Sequence, residues 1–216
     1  MPGSQFSLAG LFGSTTDSLP EAQPNILTVC TGNICRSPLA ETLLATHLFG
    51  LDLRVHSAGT QALVGHGMPP HAREIAEQEG VAAGLSQAHQ ARLLTESMMR
   101  DADLILTMTE EHSNHAVQLR PSRLHRTFTV REFARLAGSL TDAELHRAAG
   151  SAQAPRMRLS AVLQAVADQR GLAPRAVESE DVIDPYRQSP AVYRQAADQM
   201  LPGLGQVERV VRAALG

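Results

Sequence analysis

Val29-Cys30-Thr31-Gly32-Asn33-Ile34-Cys35-Arg36-Ser37-Pro38 is the stretch on which the reading of this chain turns. The short β-branched run Asn25 to Val29 precedes it, and a helical pattern opening at Pro38 follows. A cysteine, five intervening residues, an arginine and a serine make a loop that wraps a tetrahedral dianion, with the sulfur beneath the central atom. Gly32 lets the backbone approach a ligand and adopt angles barred to other residues. Backbone N–H groups from Thr31 to Arg36, continued by the helix N-terminus, can converge on an anion and favour a Cys30 thiolate. Arg36 offers a planar fork for two equatorial oxygens, which lysine cannot copy. Ser37 reads as the helix N-cap and as a donor to the thiolate. The Asn33 amide can lock the loop. Cys30 alone would read equally well as an inert buried thiol. Glycine, Arg36, Ser37 and the strand-to-helix setting make it a nucleophile.

Such a nucleophile needs a proton donor for the leaving oxygen, and the same group can later activate water. Asp184 is selected from the acidic cluster Glu178, Glu180, Asp181 and Asp184 because Pro185 pins its backbone. Tyr186 offers an aromatic wall for a phenyl ring, although it and Tyr193 also read as plain core aromatics. Cys35 reads either as a small packing residue or, five residues from Cys30, as a disulfide partner. His56, His66, His71, His89, His112 and His115 show no metal-binding spacing and read as surface or packing residues. Met98 and Met99 read as core filling.

Bulk properties set the frame. The 216 residues suit one domain. The net charge of -3 gives no basic field for nucleic acid or a membrane surface. All 19 basic residues are arginines, a compositional bias with no functional reading. No apolar run approaches the ~20 residues that span a bilayer, and no signal-peptide pattern opens the chain, so a cytoplasmic location is expected. Two cysteines make neither a disulfide framework nor a zinc site, and a reactive thiol suits a reducing compartment.

Residues 1–24 read as a flexible leader, rich in Gly, Ser, Thr and Pro. Strands are expected at Asn25–Val29, Leu53–Ser57, Ala102–Leu106 and Thr127–Val130. Helices are expected from Pro38, over Pro70–Gln78, from Thr95, from Thr109 to about Leu119, over Arg131–Ala137, and around Leu159–Val166. Gly84–Leu94 reads as a loop and Gly138–Pro155 as an excursion from the core. Pro202-Gly203 should kink or divide the last helix. The alternation predicts an α/β single domain: a four-stranded parallel sheet flanked by helices, with the phosphate-binding loop between the first strand and first helix.

The chain resembles the low-molecular-weight protein tyrosine phosphatases. The matching elements are Cys30 to Pro38 continued by Leu39, Ala40 and Glu41, then Ser57-Ala58-Gly59-Thr60, His89-Gln90-Ala91-Arg92, Ala102 to Met108, and Asp184-Pro185-Tyr186. The resemblance runs from about Asn25 to the C-terminus. It implies Cys30 as nucleophile, Arg36 as phosphoryl ligand and Asp184 as general acid and then base. Thr31, Gly32, Asn33, Ile34, Cys35, Ser37 and Tyr186 would form the substrate site. Ser57 and His89 would join Asn33 and Ser37 in a supporting network, and Cys35 would shield Cys30 from over-oxidation. No metal or cofactor is implied. The implied partner is a phosphotyrosine-containing protein, in bacteria a tyrosine kinase.

Ile34 is the residue of tyrosine-directed members, where arginine phosphatases of the superfamily carry threonine. Arsenate reductases of this fold relay electrons through further cysteines, and none follows Cys35. Arsenate reduction with an external thiol, or a phosphate-sensing or kinase-binding module without turnover, are the alternatives that share the loop. Typical members are shorter, so the leader and residues 138–174 are extra, the latter preceding the acid loop and able to cover the site mouth, restrict substrates or carry a partner surface. Arg187, where many members have an aromatic or glycine, reads either as an electropositive rim favouring acidic segments or equally as a salt-bridged surface residue.

Overall fold

The computed structural model describes residues 23–174, 176–177 and 179–216. The expected leader, apart from Gln23 and Pro24, and Glu178 lie outside these. Four parallel strands, β1 (Asn25–Cys30), β2 (Arg54–Gly59), β3 (Leu104–Thr107) and β4 (Thr127–Thr129), form one sheet in the order β2-β1-β3-β4. Helices α1 (Arg36–His47), α2 (Pro70–Gln78), α3 (Ala83–Gln87), α4 (Glu96–Asp101) and α5 (Glu110–Leu119) connect them, and α6 (Val130–Gly138), α7 (Asp142–Ala149), α8 (Pro155–Asp168) and α9 (Pro190–Leu215) follow β4. This is the expected architecture.

The pleat sends alternate residues of β1 to opposite faces. Ile26 and Cys30 join the core built with α1 and α6 to α9, while Leu27 and Val29 join a smaller one with Met99, Ile105 and Ala116. Covered on both faces, the strands carry apolar runs. Because β2 and β3 lie on opposite sides of β1, the chain order reverses at its carboxyl end. Such a switch point opens a crevice for a ligand, and the Cys30 loop leaves β1 there.

Several expectations are corrected. Residues 84–94 are not all loop: α3 lies at the start, and Leu93 pairs with Gly59 in a single parallel bridge. Five residues are too few to show a helical period. Gly138–Pro155 is no excursion. Thr141 and Glu144 form a capping box that starts α7, and Leu145 is fully buried. Leu159, Val162, Leu163 and Val166 of α8 are buried with it against α9.

Arg156 donates to Asp103 at 2.8 Å, and Arg126 bonds Ser160, so α8 lies by the amino ends of β3 and β4. Helix α8 therefore packs away from the carboxyl end of β1, and no described residue of 138–174 lines the cavity beside Cys30. Leu163→Ala is expected to cost about 2–5 kcal/mol in urea denaturation with phosphate affinity unchanged. A cost below about 1 kcal/mol would show that α8 is peripheral to the core.

Pro202 does not divide α9, which continues through it to Leu215. A Cβ on Gly203 would stand 2.6 Å from the Val130 carbonyl, so this glycine admits the close approach of α6.

Candidate active site

The loop between β1 and α1 is held from behind by a web centred on Asn33. Asn33 takes a left-handed φ of 53°, a region asparagine tolerates better than most residues. Its Nδ2 donates to Ser57 Oγ (2.7 Å) and Ser37 Oγ (3.0 Å), while its Oδ1 accepts from the Arg92 N–H (2.8 Å). Its carbonyl meets His89 Nε2 at 2.7 Å. Burial lowers the pKa of His89, so the ring is neutral and Nε2–H is the donor. Ser57 in turn donates to Glu41, whose other oxygen accepts from Arg92 at 3.2 Å. Glu41 was quoted only as part of the signature, yet it closes this web.

The close backbone approach falls at Gly59 and not at Gly32. Gly32 has no left-handed φ, and a Cβ there would meet only ordinary contacts with Ile34 and Leu63. Gly59, at the end of β2, is the one that must lack a side chain: its Cβ would lie 2.4 Å from the Thr31 carbonyl and 2.9 Å from the Asn33 nitrogen. Gly59→Ala is expected to destabilise the fold by about 1–3 kcal/mol and weaken phosphate binding. Gly32→Ala should leave the melting temperature nearly unchanged. Equal melting temperatures for the two variants would remove the distinction.

Ser37 is also corrected. The helix begins at Arg36 with Cys35 at the cap position, and no side chain caps it. The Ser37 hydroxyl instead faces Cys30 Sγ at 3.0 Å, closer than its other acceptor, the Ala58 carbonyl at 3.4 Å. With Asn33 donating to Oγ, the hydroxyl proton is free to point at the sulfur. Asn33 and Ser37 thus stand behind the loop. The cavity of about 220 Å³ in front of it is lined by Cys30, Thr31, Gly32, Ile34, Cys35, Arg36, Asp184 and Tyr186, with Gln61 and Leu63 from the segment after β2. Gln61 and Leu63 were absent from the sequence reading because nothing in their own stretch marks a wall.

Arg36 is 4% exposed, and its three nitrogens have separate fates. Nη1 donates to the Val182 carbonyl at 3.0 Å, and Nη2 pairs with Asp184 Oδ1 at 3.1 Å. Nε is buried and has no partner among the described residues. Nor does any described residue accept from the N–H groups of Thr31 to Arg36. A buried, unmet donor is costly, and the site is built from them. Together they define an anion cradle.

The acid loop is strapped down nearby. Arg131 donates to the carbonyls of Ser179 and Asp181, Arg135 forms a two-bond pair with Glu180, and Asp181 accepts from the Glu110 N–H at the start of α5. Glu180 and Asp181 therefore anchor, and Asp184 alone of the described acids in this segment reaches the cavity.

Cys35 is buried, and burial pushes its thiol up to about 12. Tyr193 Oη lies 3.6 Å from its sulfur. Both cysteines are free thiols. Tyr193 and Met99 are core residues, while Tyr186 remains 38% exposed at the cavity rim. His112, assigned from sequence to surface or packing, is buried against Thr31. Among the described residues no cluster of His, Cys, Asp or Glu is arranged to hold a metal ion, and no helix is long and apolar enough to cross a membrane.

Comparison with known proteins agrees with this geometry. The profile of a family described as low molecular weight phosphotyrosine protein phosphatase matches residues 25–146. The chain belongs to that family. It is 42% identical over 97 residues to the low molecular weight protein-tyrosine-phosphatase Wzb of Escherichia coli K12, a match covering 45% of this chain and 63% of that protein. It is also 36% identical over 111 residues to a protein-arginine-phosphatase of Bacillus subtilis, covering 50% and 71%. Among solved structures, Vibrio vulnificus Wzb in complex with benzylphosphonate superposes with a TM-score of 0.59 at 25% identity, covering 86% of this chain and 97% of the other.

Proposed function

We propose that this family member hydrolyses phosphotyrosine in proteins through a cysteinyl-phosphate intermediate. The observation that carries the reading is the unpartnered Nε of buried Arg36 beside Cys30, with Asp184 already on the same guanidinium. Arg36 Nε, Nη2 and the loop N–H groups bind the three non-bridging oxygens of the phosphoryl group. Asp184, released from Nη2 by the incoming oxygen and protonated, faces the bridging oxygen.

The Cys30 thiolate attacks phosphorus, the bond to the tyrosyl oxygen breaks, and that oxygen takes the Asp184 proton. The Asp184 carboxylate then removes a proton from water, which attacks phosphorus and displaces the thiolate. Ser37 donates a hydrogen bond to the sulfur at both ends of the cycle. Apart from that water, every group this sequence of steps uses belongs to the chain or the substrate.

Ile34, Leu63 and Tyr186 give the cavity apolar walls suited to a phenyl ring, which supports tyrosine over aliphatic phosphoesters. In bacteria the partner would be a tyrosine kinase or its substrate, and two free thiols suit a reducing compartment. Peptides carrying phosphotyrosine and phosphoarginine at one position, compared under reducing conditions with Cys30→Ser as control, test the reading. Faster Cys30-dependent release from phosphotyrosine is expected. The opposite preference would overturn the tyrosine assignment, and no Cys30-dependent turnover of either would overturn the phosphatase reading.

A further inference from the structure

We propose that a hydrogen-bond chain Thr109–His112–Thr31 fixes the Thr31 hydroxyl as an additional donor to the phosphoryl group, with His112 as its positioning residue. The inference rests on the phosphatase reading of the cavity. Thr31 follows the nucleophile in sequence and lines the same cavity, partly exposed. Its Oγ1 lies 2.8 Å from His112 Nε2. The other ring nitrogen, Nδ1, lies 2.8 Å from Thr109 Oγ1, and Thr109 Oγ1 also accepts from the backbone N–H of His112 as the cap of α5. His112 is 4% exposed, so its ring has little freedom to leave this arrangement. The sheet order explains the meeting: β1 and β3 are neighbours, so the loop after one lies beside the helix after the other.

The ring leaves two proton arrangements open, and an anion in the cradle chooses between them. Burial, aided by the Arg36 guanidinium and opposed by Asp184 and Asp181, lowers the His112 pKa to about 4, so the ring carries a single N–H at neutral pH. In one arrangement Thr109 Oγ1, which accepts the cap N–H, gives its own hydrogen to Nδ1. The ring proton then sits on Nε2 and is donated to Thr31 Oγ1. The Thr31 hydrogen is left to turn into the cavity. The opposite tautomer would draw that hydrogen onto Nε2 and face oxygen lone pairs towards a dianion. An anion in the cradle therefore selects the first arrangement. The loop N–H groups hold the phosphoryl oxygens from the backbone; this chain adds a side-chain donor directed by a ring outside the loop.

The test compares Thr31→Val, Thr31→Ser, His112→Ala, His112→Gln and the Thr31→Val/His112→Ala double variant. kcat/KM is measured on an aryl phosphate, and affinity for inorganic phosphate by calorimetry. Thr31→Val, close in shape but without the hydroxyl, is expected to lose about ten- to a hundredfold in both, the range for a hydrogen bond to a charged group. Thr31→Ser keeps the donor and should recover most of what Thr31→Val loses. His112→Ala is expected to share most of the Thr31→Val loss, the double variant to be no worse than Thr31→Val alone, and His112→Gln, with an amide N–H in place of Nε2–H, to recover part of it.

Wild-type behaviour in Thr31→Val, impairment of Thr31→Ser equal to that of Thr31→Val, or losses that multiply in the double variant would each overturn the proposal. If His112→Ala does not fold, the valine–serine comparison decides. If no phosphate ester is turned over, the phosphatase reading falls separately, and phosphate affinity still reads the Thr31 donor.

Discussion

Lysine in place of Arg36 is expected to lower kcat/KM about 10³-fold, well beyond the loss of one hydrogen bond, because one ammonium replaces a fork whose arms do different work. In the folded chain Nη1 is committed to the Val182 carbonyl, two residues before Asp184, and Nη2 to Asp184 itself. Nε is unpartnered. Arginine can therefore keep the acid loop in register with one nitrogen while offering two others, in a fixed plane, to the phosphoryl group. A lysine ammonium has no rigid plane and a shorter reach to Val182. Binding the anion would leave that buried carbonyl unmet, and holding the carbonyl would weaken the grip on the anion.

The expected signature is double: weaker phosphate binding by calorimetry, and a lower kcat at saturation because Asp184 is no longer held. Far-UV circular dichroism should be unchanged. Retention of kcat/KM within tenfold of wild type would refute the division of labour assigned to the three nitrogens, while leaving Arg36 as a simple positive charge.

That Cys30, Arg36 and Asp184 share one cavity was legible because each announces itself locally: a strand end, a fixed spacing, a proline after an aspartate. The parts missed are those whose meaning is purely spatial. Gly59 is indispensable because the carbonyl of Thr31 passes beside its Cα, and nothing in Ser57-Ala58-Gly59-Thr60 states what crosses it. Gly32 was credited with that role because it lies inside the loop. Ser37 looked like a helix cap for sound reasons of propensity. Its hydroxyl serves Cys30, and the helix start is left uncapped, a local rule broken where chemistry needs the group.

His112 was hidden by its distance in sequence from Thr31, a separation that only the β1–β3 pairing removes. The Gly138–Pro155 stretch was misread for a different reason. Alanine and small polar residues lower the apparent hydrophobicity there, but Leu145 and Ala149 face the core. Helices α7 and α8 pack against α9, and neither lines the cavity beside Cys30.

For Asp184→Asn the expected loss depends on the leaving group, and that dependence identifies the role. With a phenolate as basic as that of tyrosine, expulsion without protonation is slow, so kcat/KM should fall by about 10²–10⁴-fold, the usual range for general acid catalysis. With 2,4-dinitrophenyl phosphate the departing oxygen needs no proton, and kcat/KM should stay within several-fold of wild type. Its kcat should nevertheless remain low, since water must attack the cysteinyl phosphate without a base. A rapid burst of dinitrophenolate, close to one per enzyme, followed by slow turnover is the result to look for in stopped flow.

The substitution is nearly isosteric, and the asparagine oxygen can still accept from Arg36 Nη2, as Asp184 Oδ1 does at 3.1 Å, so the cradle is not itself dismantled. A uniform loss across leaving groups, with no burst, would mean that Asp184 only orients Arg36 and that proton transfer lies elsewhere. Among the described acids around the cavity none is better placed, because Asp181 is tied to the Glu110 N–H and Glu180 to Arg135. Such a result would therefore leave the acid to come from solvent, and the rate would then follow bulk buffer concentration.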